Sequence, residues 1–302
     1  MKNGIIPVNK PMGFTSFDVV AKCRCVLKTK KIGHAGTLDP MATGVLPVFI
    51  GKATALSSLL LDGDKRYLAT VKLGITTDTD DITGKVMCEK AVDVTEEQLH
   101  KALEHFTGKI SQIPPMYSAI KKDGVRLYSL AREGKTVEIE ARDIEVYSLE
   151  LTSDLKDNTF VIDAHVSKGT YIRSLARDIG EFLGCGATLT ALRRTYAAGF
   201  SIEDCVRLED LTRENVSQYV LNEETAVKNF KEVKVTEKQA VRFTNGGQLG
   251  FDRLKNADFA DGELLRVKHG DTLLGIGIAD NEKQWVAIKC ILRSASAVNS
   301  SK

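Results

Sequence analysis

Apolar residues recur along this chain at two periods, and each regular stretch predicts one element. After Thr15, the residues Val19, Val20, Cys23, Val26 and Leu27 repeat at helical spacing and leave Lys22, Lys28 and Lys30 outward. Thr15 is placed to cap that helix, with Asp18 in its first turn. Between Tyr67 and Leu73 the period changes to strict alternation, Tyr67, Ala69, Val71 and Leu73 against Leu68, Thr70 and Lys72, which predicts a half-buried strand. Asp78-Thr79-Asp80-Asp81 then leads through Gly84 into another short strand; its spacing does not fit a calcium loop, so a solvated hairpin connection is expected.

Thr95-Glu96-Glu97-Gln98 is a capping box, and Leu99, Leu103 and Phe106 continue the stripe it starts. Two β-rich runs follow, near 137–151 and 158–167. Lys168 to Arg173 opens a helix with Ile172, Leu175, Ala176, Ile179 and Leu183 on one face and Gly184 at its end. Residues 203–224 carry no sustained strand pattern and read as loop plus short helix. From 231 to 292 the pattern is short strands parted by Gly246-Gly247, Asp261-Gly262, Gly270-Asp271 and Asp280-Asn281, with one helical stretch near Glu237–Phe243. This predicts a compact, barrel-like β unit. The elements together are of the α+β class, and the division expected is 1–228, 229–293 and a frayed tail over 294–302.

Composition narrows the class further. The chain has 302 residues, 43% hydrophobic and 27% charged, with a net charge of +2, which suits about two folded domains and excludes disorder. No apolar run reaches the ~18 residues of a membrane span, and the N-terminus has no signal core, so a soluble cytoplasmic protein is expected. The six cysteines are too sparse for a disulfide framework, and Cys23 and Cys25 lack zinc-site spacing, so reduced thiols filling core gaps are expected and no metal.

Charge is uneven along the chain. Residues 1–60 hold eight cations against two carboxylates, whereas 203–224 hold seven carboxylates against two cations. A basic block on a near-neutral chain points to an anionic partner such as RNA, although short lysine runs are also ordinary solvated helix faces.

Four segments carry candidate chemistry. Gly33 to Pro40 is a glycine-rich loop holding Asp39, which fits a nucleophile or base and equally a turn residue bonding its own backbone. His34 in the same loop suits a phosphate or ribose contact or a structural imidazole. Lys65-Arg66-Tyr67 sets two cations beside a ring, as single-stranded RNA recognition does, or supplies a core tyrosine. Lys168, Tyr171 and Arg173 meet at a helix start, where Arg173 can pair with a carboxylate bidentately and hold it ionised. Ile113 to Ala119 is a rigid extended segment. No phosphate-binding P-loop, dinucleotide fingerprint, kinase motif or serine elbow is present.

Taken in order, Val8-Asn9-Lys10-Pro11-Met12-Gly13 with Ser16, Gly33-His34-Ala35-Gly36-Thr37-Leu38-Asp39-Pro40 continuing to Pro47, Lys65-Arg66-Tyr67, Pro114 to Ala119, Lys168 to Arg173 and Leu192-Arg193-Arg194 closely resemble the TruB family, the bacterial tRNA pseudouridine-55 synthases. The likeness runs from about residue 3 to 200 and is softer beyond. The resemblance implies a curved, mainly antiparallel mixed sheet flanked by helices, with a small C-terminal PUA-like β-barrel gripping RNA. It implies isomerisation of a T-loop uridine of tRNA without metal or organic cofactor. Asp39 matches the catalytic aspartate, Tyr67 the tyrosine that stacks on the base, and Tyr171 and Arg173 the pair lining the pocket. His34 and Leu192 match substrate contacts, and Lys10 and Pro11 a supporting motif. A stand-alone monomer needing no guide RNA or membrane is expected; a non-catalytic RNA-binding or RNA-folding protein on the same fold, and a guide-dependent subunit, are the alternatives.

The reaction fits those residues. Breaking N1–C1′ and joining C5 to C1′ consumes no water, so one carboxylate suffices where a glycosidase needs two. Extruding the base costs a few kcal/mol, and stacking on Tyr67 at roughly 1–3 kcal/mol offsets much of it.

Overall fold

The computed structural model describes residues 3–118, 120–122, 124–134 and 137–294. Lys2, Ala119 and the tail from 295 onward lie outside these residues.

The helical period after Thr15 becomes α1 (Ser16–Leu27), whose cap is reciprocal: Asp18 N donates to the Thr15 hydroxyl and Thr15 N to the Asp18 carboxylate. Thr95 and Gln98 repeat the device at α2 (Glu96–His105). A further helix, α3 (Ile172–Phe182), buries Leu175, Ala176 and Ile179 completely.

Ten strands form one sheet. Its main path uses β1 (Gly4–Lys10), β2 (Thr43–Ile50), β3 (Lys65–Leu73), β4 (Gly108–Gln112), β5 (Arg142–Leu151), β6 (Thr159–Val166), β7 (Ala187–Ala197) and β8 (Val206–Arg207), in the order β8-β1-β2-β7-β3-β6-β5-β4. Only β8–β1 and β2–β7 are parallel along it. The sheet is thus mixed and mainly antiparallel, as expected.

The alternation of β3 sends Tyr67, Ala69, Val71 and Leu73 inward, where Phe160, Ile162, Ala164 and Val166 of β6 meet them, and α2 and α3 close this core. Full burial of each such aliphatic side chain contributes roughly 1.5–3 kcal/mol. Strand β2 is covered on both faces: Val45 and Phe49 enter one core cluster, and Leu46, Val48 and Ile50 another beneath α1. Its unbroken apolar run is the mark of such a strand.

Beyond residue 230 a second sheet follows the order β9-β11-β12-β13-β10, from β9 (Lys231–Lys234), β10 (Leu249–Gly250), β11 (Leu264–His269), β12 (Thr272–Asp280) and β13 (Trp285–Ile291). It wraps the buried Phe243 of α4 (Glu237–Thr244). Its edge strands β9 and β10 do not pair with each other, so hydrogen bonding leaves the barrel-like unit open. Leu273, Ile276 and Leu292 from this unit join Phe49, Ala53, Leu56 and Val227 in one shared cluster. Across the same boundary Glu224 meets Arg266 at 2.7 Å and Lys268 at 2.8 Å, and buried Glu223 pairs with Arg293.

Residues 203–224 hold short 3-10 turns and a two-residue strand, where a loop and short helix are expected. All six cysteines are free; Cys23 and Cys185 fill core positions, but Cys25 and Cys88 are exposed, so the core-filling expectation fails for those two. Among the described residues no helix is long and apolar enough to cross a membrane.

Candidate active site

Asp39 lies in the loop between the short strand Ile32–His34 and β2, and four residues, Arg194, Ser16, Gly13 and Lys10, hold that loop in shape. The Gly36 carbonyl accepts from buried Arg194 at 2.9 Å, while Arg194 Nε donates to the Val45 carbonyl at 2.8 Å. Ser16, at the start of α1, accepts from Leu38 N at 2.9 Å and donates to Leu38 O at 3.2 Å. Pro40 O accepts from Gly13 N at 2.8 Å and from the Lys10 amine at 3.4 Å. That amine also donates to the Pro11 carbonyl at 2.9 Å and to the Phe14 carbonyl. Lys10 is wholly buried, and burial lowers its pKa to about 8. The Lys10 amine thus ties Pro11 and Phe14 to the loop at Pro40.

Gly44 explains why the chain can turn so close to β7. Its φ is +103°, and a Cβ there would lie 2.2 Å from the Arg194 carbonyl oxygen. Only glycine fits.

Arg173 reaches the loop from the first turn of α3. Its Nε lies 3.0 Å from Asp39 Oδ2, its Nη1 donates to Thr79 O at 3.1 Å and lies 3.6 Å from Asp81 Oδ2, and its Nη2 donates to Tyr117 O at 2.9 Å. The expected bidentate pair with one carboxylate is therefore replaced by a single Nε contact, because the rest of the guanidinium is spent on three other groups. The Asp39 side chain keeps 38% of its surface open, whereas that of Arg173 is nearly closed off. Burial raises the Asp39 pKa above the ordinary carboxylate value, and the Arg173 charge opposes this without cancelling it.

Tyr171 caps α3, and Gln112 fixes its backbone from both sides, donating to Tyr171 O at 3.1 Å and accepting from Tyr171 N at 2.9 Å. Burial pushes its phenol pKa up, so the hydroxyl keeps its proton. Tyr67 and Leu192 pack in the cluster that also holds Leu38, Met41 and Ala42, each with 8% of its surface open. Tyr67 is thus an inward ring and not an exposed platform. His34 is half-buried, its Nδ1 has no hydrogen-bond partner, and burial lowers its pKa, leaving a neutral imidazole.

Not every sequence signal converges here. Arg66 pairs with Asp163 at 2.7 Å and the Lys65 amine bonds Leu61 O at 2.6 Å, so neither joins Tyr67 as an RNA-facing trio. Lys168 pairs with Asp62 at the surface, away from Tyr171 and Arg173. The acidic turn is the main correction. Asp81 is 4% exposed, where a solvated connection is expected. Its Oδ1 accepts from Thr83 N at 2.9 Å and from Thr79 Oγ1 at 3.0 Å, which leaves Oδ2 for Arg173. Asp80 pairs in parallel with Arg177 at 3.1 Å, one turn along α3. The run of three acids within four residues was the available signal; what hid it is that their arginine partners lie more than ninety positions away.

A mixed, mainly antiparallel sheet with a half-open carboxylate at its centre is the architecture of a pseudouridine synthase, and solved structures agree. A chain from the crystal structure of a Cbf5-Nop10-Gar1 complex superposes with a TM-score of 0.78 at 28% identity, covering 98% of this chain and 86% of that one. A chain from the archaeal box H/ACA sRNP Nop10-Cbf5 complex gives 0.76 at 26% identity, over 98% and 88%. The model described as "TruB family pseudouridylate synthase (N terminal domain)" matches residues 24–172, and "tRNA pseudouridylate synthase B C-terminal domain" matches 173–230. Curated relatives named tRNA pseudouridine synthase B are 43% identical over 282 residues in Clostridium perfringens (93% of this chain, 96% of the relative) and 44% over 278 in Clostridium tetani (91% and 95%). The chain belongs to the TruB family of pseudouridylate synthases.

Proposed function

We propose that the chain isomerises uridine 55 in the T loop of tRNA to pseudouridine, with Asp39 as its single catalytic carboxylate. The observation that carries this reading is a lone half-open acid, buttressed through Nε by a buried arginine and set on a loop stapled at Gly36, Leu38 and Pro40.

Asp39 acts on the sugar, as nucleophile or as base, and both uses need its ionised form. The N1–C1′ bond breaks, the freed base turns, and C5 bonds C1′; C5 then loses its proton while N1 gains one, so the product is an isomer. Arg173 fixes where the carboxylate points and offsets part of the cost of ionising it under partial burial. Tyr67 supports the extruded base, Tyr171 and Leu192 line the pocket beside it, and His34 meets the substrate with the exposed part of its ring. Closing RNA over the site excludes water and protects the detached base from hydrolytic loss. Lys10 and Pro11 hold the loop still.

The C-terminal unit, from about 229 to 293, grips another part of the tRNA stem. The enzyme works alone in the cytoplasm, as a monomer, without guide RNA. The test is purified protein with unmodified tRNA transcript and nothing else added. Wild type should form pseudouridine at position 55, and Asp39→Asn should bind the transcript without converting it. A conversion that requires an added guide, or an active Asp39→Asn, would overturn the reading.

A further inference from the structure

A cleft of about 700 Å³ lies behind the Asp39 loop, outside the site described above. It forms where the ends of four neighbouring strands align. Arg207 of β8 stands beside Asn9 of β1, and Arg193 of β7 stands beside Thr43 of β2. Four adjacent strands span three gaps of about 4.8 Å, so the cations at the two ends stand roughly 14 Å apart in backbone position. Lys22 of α1 and Phe14, whose ring is 42% exposed, complete the lining.

Its net charge is positive. Lys22 and Arg193 have no hydrogen-bond or ion-pair partner among the described residues, and the lining offers one carboxylate, Glu209, which pairs with Arg207. Cations delivered by separate strands and a helix into one concavity focus a positive potential. Stability does not account for them, because unpaired like charges brought together in a folded chain repel.

The cleft also shares a wall with the catalytic pocket. Lys10 lines it and donates to the carbonyl of Pro40, the residue after Asp39, while Thr43 Oγ1 donates to Leu192 O at 3.4 Å. A strand that delivers a nucleotide to Asp39 and continues past this wall brings its next phosphates over Lys22, Arg193 and Arg207.

We propose that this cleft is a phosphodiester site for the RNA strand adjoining the target uridine, with Lys22 and Arg193 as its ligands, Glu209 opposing entry, and Phe14 at hand to stack a base. The proposal rests on the function argued above. Phosphate contacts of this kind set affinity and register and carry no sequence information.

The test measures Kd for unmodified tRNA transcript between about 50 and 200 mM salt in wild type, Lys22→Gln/Arg193→Gln, Arg193→Lys and Glu209→Gln. Each lost phosphate contact lowers the log–log salt slope by about 1. The double variant should therefore be shallower by about 1 to 2, Arg193→Lys should keep the wild-type slope, and Glu209→Gln should bind tighter, a gain that misfolding cannot produce. A double variant with the wild-type slope overturns the proposal. So does inorganic phosphate that protects wild type but not the double variant from heat while the RNA slope stays unchanged, since the cleft is then a free-anion site. A wild type that binds tRNA with this slope pattern but forms no pseudouridine sinks the catalytic reading and leaves the cleft standing.

Discussion

The Nε of Arg173 stands 3.0 Å from Oδ2 of Asp39 and the same guanidinium reaches 3.6 Å to Asp81, so one buried cation is shared between two acids of different exposure. Asp81 is enclosed and structural; Asp39 faces the opening. The arrangement makes Arg173 the point through which the acidic turn, the Tyr117 backbone and the Asp39 loop are tied together.

Replacing Arg173 by Lys removes the planar fork while keeping a charge. A lysine cannot serve Asp39, Thr79 O and Tyr117 O at once. Loss of one preorganised donor costs about 10²–10³ in kcat, and that range is expected here with RNA affinity within a few-fold of wild type. Single-turnover kinetics beside filter binding decides it; parallel losses in both would show that Arg173 serves folding or binding instead.

The pH profile should carry the signature of a raised carboxylate. Asp39 must be ionised to act, and burial lifts its pKa, so activity should fall on acidification at a pH above the ordinary value of 3.8. Asp81 pushes that pKa up and Arg173 pushes it down. Asp81→Asn should therefore move the acid limb to lower pH and Arg173→Met to higher pH. Limbs that shift together, or not at all, contradict the assignment.

Stability follows with the opposite sign. A folded-state pKa raised above the unfolded one means that the contribution of the protonated acid, full below about 3.8, is lost as pH rises through the folded value. Asp39→Asn should thus melt higher than wild type near neutral pH, with the gain vanishing below that window. Thermal melts at several pH values test it, and a lower melting point for the variant at neutrality would refute it. A site that is costly to keep charged is a common form of the trade between activity and stability.

Two glycines separate strain from collision. Gly13 and Gly44 both have positive φ, so alanine at either carries about 1–2 kcal/mol of backbone cost. Only at Gly44 does the added Cβ meet backbone, at 2.2 Å; at Gly13 nothing lies within 4 Å. Gly44→Ala should be destabilised by several kcal/mol more than Gly13→Ala in denaturant unfolding. Equal effects would mean that β2 and β7 part easily there.

Glu223 is 2% exposed and meets Arg293 across the boundary between the two sheets. Arg293→Ala leaves a buried charge unpaired and should cost roughly 3–5 kcal/mol, whereas Glu223→Gln with Arg293→Met should recover most of it. Failure of the double variant to recover stability in urea melts would show that the pair is not the cause.

Much of the fold was legible because its periods were clean. The caps at Thr15 and Thr95 and the alternation at Tyr67–Leu73 each stand as read. Strands β1, β2 and β7 carried no such signal. Strands β1 and β2 have cores on both sides, so neither face needs polar residues, while β7 mixes buried Leu189 and Leu192 with exposed Arg193 and breaks its period with register shifts between Leu189 and Ala191 and between Arg194 and Tyr196. Arg173 stands against Asp39 from 134 positions away, a meeting that only the order of the motifs pointed to. Asp81 did not show itself, because an acid in a polar turn looks solvated until its distant arginine is placed.

The seam between the sheets bears on how the polypeptide is made. Phe49 and Leu56 are covered by Leu273, Ile276 and Leu292, more than two hundred positions later. During synthesis the earlier half leaves the ribosome with that greasy strip bare, and it stays bare until residues 273–292 have emerged. Chaperone engagement should therefore persist until that segment is made, and a chain truncated before residue 273 should aggregate.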